Sequence, residues 1–458
     1  MSLIGFIGVL SVGTVLMDGG SIFILGLAAC YLLFVTEFFV RPLSVFQPSE
    51  MLMMDNMSVL MVVLSLLVGI MTLMCSQKDF NVSRYVYKKG IEGSVLLVLG
   101  LSIGMFVSGS WMLFFICFEG SLLPMLWMIF TWGYQPERVQ AGVYMVMYTV
   151  CASMPLLVSL LWLYTVGSSD KFLAAKLSYT FWTNTSTLPF WVVIGFLSGF
   201  MVKLPLYLFH GWLPKAHVEA PLAGSMILSG VLLKLGGFGL YRIMWLMNIK
   251  SSISGQFLVS ILICVGLVGG CLANVYCLCQ SDLKAMVAYS SIGHMGLCVC
   301  GILSGLSMGY AGAACMMFSH GLCSPILFAL AGSLHDWSDS RSIGVNKGLN
   351  SLLPTFSLFW GMAWFINMGI PISLNFMAEW MLISSIGAIS SWLLPWAWLS
   401  CFLSGAVAFY AYGAVCHGVC AINSRTLNAW VSSRYYYGCT FGFVFLLFGS
   451  FGLDFFIC

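Results

Sequence analysis

Apolar runs of about membrane-crossing length follow one another along almost the whole chain, parted by short polar breaks. They fall near 3–17, 21–40, 57–77, 93–109, 111–130, 139–166, 187–209, 221–246, 256–279, 285–305, 307–333, 351–385, 393–420 and 436–457. A helix needs about 20 apolar residues to cross a bilayer. The pattern therefore predicts an all-α polytopic membrane protein of about 14 transmembrane helices. Its only long polar connections are 41–56, 78–92, 167–186 and 421–435, so no extramembrane domain is expected.

Two runs are interrupted from within. Pro205 breaks the seventh span just after Lys203, and Gly369-Ile370-Pro371 breaks the twelfth ahead of Glu379. Paired interrupted helices in two halves of a membrane protein point to a transport site near the midplane. The hydropathy thus suggests two inverted five-helix repeats, spans 4–8 and 9–13, although no residue-level repeat accompanies it. The expected organisation is 1–92 for the N-terminal helices, 93–246 and 247–420 for the two antiporter-like halves, and 421–458 for the last helix.

Composition agrees with the hydropathy and removes other classes. Only 7% of residues are charged and 60% are hydrophobic, against about 25% charged in a soluble domain. A scattered net charge of +3 gives no basis for nucleic-acid binding. The 17 cysteines form no cluster-binding spacing. Cys416 and Cys420 flank His417 and resemble a partial metal site, but cysteine is a common small apolar residue in buried helices. With no Gly-rich strand-to-helix turn, the chain is expected to hold no metal and no cofactor of its own. MSLIGFIGVL lacks a basic n-region, so the first run reads as a retained span. Lysines and arginines number eleven at connections after odd-numbered spans and five after even-numbered ones, which predicts both termini on the outer side.

The exceptions to this charge distribution carry the chemistry. Glu119 lies in WMLFFICFEGSLLPMLWMIF, Lys203 ends GFLSGFMVK, Lys234 sits in MILSGVLLKLGGFGL, and Glu379 follows NFMA. His294 and His320 occupy YSSIGHMG and CMMFSHGL. Each charge at mid-membrane costs about 2.5–3.5 kcal/mol, so four cost on the order of 10 kcal/mol before pairing. Helix packing in lipid does not require them. Glu119 and Lys203 read either as a static ion pair or as a proton-holding pair. Burial pushes a lysine pKa down and a carboxylate pKa up by as much as roughly 3–5 pH units, and histidine titrates near 6.5 in water, so all six groups suit a proton relay. Each histidine alone reads equally as a satisfied core residue. His210, His217 and Glu219 lie between spans beside Lys215, where Lys215 and Glu219 are either solvated or paired with each other.

The run VKLPLYLFHGWLPKAHVEAPLAGSMILSGVLLKLGGFGLYR (202–242) resembles the antiporter-like, proton-pumping membrane subunits of respiratory complex I, in their chain 4 form. FEGSLLP (118–124), GYQPERVQAGVYMVMYT (133–149), SDLKAMVAYSSIGHMG (281–296), SHGLCSPILFALAGS (319–333) and MGIPISLNFMAEW (368–380) extend the likeness over spans 5 to 12. The resemblance implies that Glu119 pairs with Lys203 at the break, that Lys234 passes protons towards the middle, and that His294 and His320 continue the relay. Glu379 would be the terminal carrier, and a glutamate there favours chain 4 over sister chains, where a lysine is usual. The second break departs from the Gly-x-Pro-Pro of the family, because Ile372 follows Pro371.

The resemblance further implies a core subunit of an NADH:ubiquinone reductase that translocates protons and has no redox centre in this chain. NADH, FMN, iron–sulfur clusters and ubiquinone would belong to other subunits. Its partners would be the other membrane-arm subunits, sister antiporter-like chains among them, with accessory subunits and lipids. The expected location is the mitochondrial inner membrane. Two alternatives keep the same buried groups: a subunit of a multisubunit sodium/proton antiporter, and a non-conducting scaffold.

Overall fold

The computed structural model describes residues 46–49, 51–76, 85–167, 169–172, 174, 189–247, 253–419 and 433–450. The first two predicted spans and the end of the fourteenth lie outside them. A small hairpin, β1 (Phe46–Ser49) and β2 (Leu52–Met54), occupies the first polar connection, where no strand was expected. It leads into α1 (Asn56–Cys75), where the Asp55 N–H donates to Ser58 Oγ at 2.7 Å and satisfies a donor at the helix start.

Helices α2 (Tyr85–Val107), α3 (Trp111–Gly120), α4 (Leu122–Trp132) and α5 (Arg138–Gly167) follow. The last two predicted connections before the repeats are thus shorter than the polar residues suggested: α2 begins well before residue 93 and carries Glu92 into the protein, where it is buried. Ser110 caps α3 by accepting from the Leu113 N–H at 3.3 Å.

The seventh predicted span is not one helix to residue 209. Helix α6 (Phe190–Lys203) stops at the lysine, because Pro205 cannot donate into a helical ladder and holds Leu204 extended. After a turn in which Leu208 takes φ 81°, the chain resumes as α7 (Trp212–Glu219), a half-helix hidden from sequence by its polar residues. Helices α8 (Leu222–Ile227) and α9 (Leu233–Met247) form one continuous rod joined by a π turn, Leu228–Leu232.

The second half runs through α10 (Ile253–Leu278), α11 (Leu283–Ser304), α12 (Ser307–Ser338) and the short α13 (Leu349–Leu352). The twelfth predicted span is α14 (Pro354–Asn367) and α15 (Leu374–Ile389), parted at the expected break. Helices α16 (Leu394–Cys416) and α17 (Ser433–Phe448) complete the described chain. Among the described residues nine helical segments are long and apolar enough to cross a membrane, and α6 and α15 are shorter apolar helices at the breaks.

Burial sorts these helices into a centre and a rim. The apolar stretches of α8–α9 and α12 are 100% buried and that of α11 is 94% buried, whereas α5 and α16 are 39% buried. The rim helices present apolar side chains outwards, Val143, Met147, Met154 and Val158 on α5 among them, as a lipid-facing or subunit-facing surface requires. Close packing comes from small residues: a Cβ on Gly296 of α11 would stand 2.7 Å from the Gly266 carbonyl of α10.

The connections gather at two ends. At one, Gly109 donates to Met51 at 2.7 Å, Trp111 to Asp170 at 2.9 Å and Phe172 to Gly109 at 3.0 Å, tying the hairpin and two connections together. At the other, Arg341 reaches Gln135, Glu219 and Asp282. The first set follows even-numbered predicted spans. Gln135, Asp282 and Arg341 follow odd-numbered ones, and Glu219 ends the half-helix of the seventh, as alternating crossings demand.

Candidate proton path

The first break presents its lysine to α3. Lys203 is buried, and its ammonium donates to the Phe118 carbonyl at 2.6 Å while sitting 3.3 Å from the Phe118 ring centroid. The expected partner, Glu119, is the next residue, but among the described residues Lys203 makes no ion pair with it, and Glu119 Oε1 has no hydrogen-bond partner. The direct pair is corrected to a shared helix end: α3 turns into α4 at Gly120-Ser121 and leaves the Phe118 carbonyl and the Glu119 carboxyl on adjacent residues.

Beyond the break, His210 stacks on Tyr207 with ring centroids 4.8 Å apart. His217 on α7 is fully buried against Phe328 at 4.6 Å, and neither of its ring nitrogens has a partner. It lies within electrostatic reach of Lys234 and His320. Glu219 is neither solvated nor paired with Lys215. It is buried and accepts from Arg341 at 3.1 Å, while the Lys215 ammonium lies 3.9 Å from the Tyr144 ring centroid.

Lys234 stands at the centre of the protein with no solvent exposure. The π turn before it explains one of its contacts. The Leu233 N–H reaches five residues back to the Leu228 carbonyl, and the Ser229 carbonyl accepts from the Lys234 ammonium. Such single π turns recur at functional sites. The same ammonium lies 2.9 Å from His320 Nδ1 on α12.

From His320 the groups continue in line. The His320 and His294 rings are 5.7 Å apart between centroids, and His294 Nδ1 is 3.5 Å from Glu379 Oε1 on α15. The spatial order is therefore Lys234, His320, His294, Glu379, with the two histidines in the reverse of their order along the chain. The second break makes room for the carboxylate. Gly369 has φ 82°, and a Cβ there would stand 3.0 Å from Glu379 Oε2. Ile372, after Pro371, takes φ 85°, a position the missing second proline of the family could not adopt because its ring fixes φ near −65°. Asn375 Nδ2 donates across the break to the Ile366 carbonyl at 3.1 Å. Around it, Asn367 Oδ1, Asn375 Oδ1 and Glu379 Oε1 are buried oxygens with no hydrogen-bond partner in the protein, and buried polar atoms of this kind are commonly met by ordered water.

Four contiguous ionisable groups and two broken helices describe an antiporter-like core, and comparison with known proteins agrees. The family model described as NADH:quinone oxidoreductase/Mrp antiporter, TM, matches residues 108–404. NADH-ubiquinone oxidoreductase chain 4 of Lumbricus terrestris is 38% identical over 83% of this chain and 82% of its own. That of Albinaria caerulea is 40% identical over 81% of each. The chain belongs to the NADH-ubiquinone oxidoreductase chain 4 family. A chain of respiratory complex I from Thermus thermophilus with bound NADH shares its fold, with a TM-score of 0.84 at 22% identity over 98% of this chain and 94% of that one.

All six relay candidates fall inside the span that matches the family. Chain 4 residues that the sequence reading missed are those whose charge sits at a helix end. Arg242, counted there among outer connection charges, is 1% exposed and pairs with Asp55. Arg341, also counted as a connection charge, joins Gln135 at 2.9 Å, Glu219 at 3.1 Å and Asp282 at 3.5 Å. A lysine or arginine at the end of an apolar run looks the same in sequence whether it faces water or another helix.

Proposed function

We propose that this chain is a proton-translocating subunit of the complex I membrane arm, working in the mitochondrial inner membrane beside sister antiporter-like and accessory subunits. The observation that carries the reading is the contact of the Lys234 ammonium with His320 Nδ1 at 2.9 Å, in line with His294 and Glu379. Lys234 gives a proton to the Nδ1 lone pair of neutral His320. The imidazole can release a proton from its other nitrogen, the two-ended property that makes histidine a shuttle. Transfer across the 5.7 Å ring separation needs a ring rotation or one bridging water. His294 then protonates Glu379, and the unpartnered oxygens at the second break offer sites for the water that carries the proton on. Lys203 and Glu119 load the file from the first break, with His217 between them and Lys234. NADH, flavin, iron–sulfur centres and quinone lie in other subunits on this reading, and redox energy arrives through the assembly.

Glu379→Gln in the assembled complex tests it. The amide keeps the shape of the side chain and cannot accept a proton, so proton-coupled NADH oxidation is expected to fall at least tenfold with assembly intact. Normal coupled turnover would remove Glu379 from the path. The family description also covers Mrp antiporters, and sodium flux through reconstituted vesicles without NADH oxidation would favour that reading.

A further inference from the structure

A proton file inside a membrane works only if protons cannot leave it sideways along the membrane normal. The end of α9 bears on this. Lys234, Phe238 and Arg242 recur at i, i+4 and i+8, one stripe of the helix. From Lys234 the stripe runs about 12 Å along the axis to the end that carries the hairpin and the α1 cap. Phe238 and Arg242 are each 1% exposed, and Phe238 meets Phe106 edge-on with centroids 5.2 Å apart. The Arg242 guanidinium lies 4.9 Å from the Phe238 ring and 5.5 Å from the Phe172 ring.

The rest of α9 leaves no gap around this stripe. A Cβ would come within 2.8 Å of the Leu204 nitrogen at Gly236, 2.3 Å of the Met317 sulfur at Gly237 and 2.1 Å of the Phe200 ring at Gly239. Neighbouring groups thus press directly on the backbone. Above, the hydrogen-bonded hairpin and connections close the same end. Asp55, with its side chain 18% exposed, lies on the outer side of the pair, so the positive member points inwards. Two guanidinium nitrogens of Arg242, Nε and Nη2, have no protein partner. Any water that meets them stands next to a charge that protein conditions never remove. Fixed arginines exclude protons from water-filled pores in this way.

We propose that Phe238 and Arg242, held by Asp55, form a one-sided barrier that stops protons escaping from Lys234 towards the hairpin face. Lys234 can then discharge only laterally, to His320. The proposal rests on the proton-file reading above and adds an insulating element to it, with Arg242 as a positioning and excluding residue that never carries the proton.

The test uses the whole complex in proteoliposomes, idle, without NADH, under an imposed pH gradient, with proton leak per complex as the readout. Arg242→Gln is expected to raise the leak several-fold while NADH oxidation stays at the wild-type rate. Arg242→Lys, which keeps the charge, and Asp55→Asn, which leaves it in place, are expected to stay near wild type. Adding Lys234→Met to Arg242→Gln is expected to abolish the extra leak, since the barrier guards that lysine. An assembled Arg242→Gln complex as tight as wild type would overturn the proposal. So would an equal leak from Arg242→Lys, or a leak that survives the loss of Lys234. Where Arg242→Gln does not assemble, Phe238→Ala takes its place, and tight vesicles there would equally overturn it. Normal pumping by Lys234→Met alone would instead sink the proton-file reading, a separate result from the leak comparison.

Discussion

Gly369 shows how one residue serves the candidate path. Its φ of 82° lies where a side chain costs about 1–2 kcal/mol, and the missing Cβ is the space that Glu379 Oε2 fills at 3.0 Å. Gly369→Ala is therefore expected to destabilise the second break by about 1–2 kcal/mol and to push the carboxylate from His294. Heat inactivation of proton pumping in the isolated complex, at a lower temperature than wild type, would register it. An unchanged inactivation temperature would count against the steric argument. At this scale the sequence was informative: the six relay candidates stand out because charge and imidazole are expensive in apolar runs. Their neighbours were not legible. Lys203 meets Phe118 instead of Glu119, and His320 precedes His294 in space, because both facts depend on how helices far apart in sequence are rotated against one another.

Among the elements, the π turn at Leu228–Leu232 governs where Lys234 points. One residue turns an α-helix by about 100°, so deleting Val231 would draw the rod back to regular α-helix and rotate Lys234 out of line with His320. The expected result is an assembled complex that has lost most of its proton-coupled turnover. The check is the ratio of protons moved to NADH oxidised in sealed vesicles, and a wild-type ratio would show that the turn does not aim the lysine. Neither this turn nor α7 was visible in sequence. MILSGVLLKLGG reads as plain apolar helix with one lysine, and nothing in its composition marks a widened turn. WLPKAHVE carries too many polar groups to resemble a half-span until the fold buries His217 and Glu219. The breaks themselves were legible, since proline and glycine act locally on the backbone.

Across the whole molecule, ion pairs at the two ends frame an apolar core. Arg341 links Gln135 and Glu219 of the first half to Asp282 of the second, and Asp55 with Arg242 closes the opposite end. Between them lies the file Lys234, His320, His294 and Glu379, in the most buried helices of the protein. Composition and hydropathy made the polytopic architecture readable, because twenty-residue apolar runs have few other uses. The end clamps were hidden by the ambiguity of a basic residue at a helix terminus. The central claim is that Lys234 is an obligatory proton carrier with His320 as its acceptor. Lys234→Met replaces the ammonium with an unbranched apolar side chain of comparable length. The measurement is protons moved per NADH oxidised by the assembled variant complex in sealed vesicles. A ratio well below wild type, with assembly intact, is the predicted result, and a wild-type ratio would contradict the account.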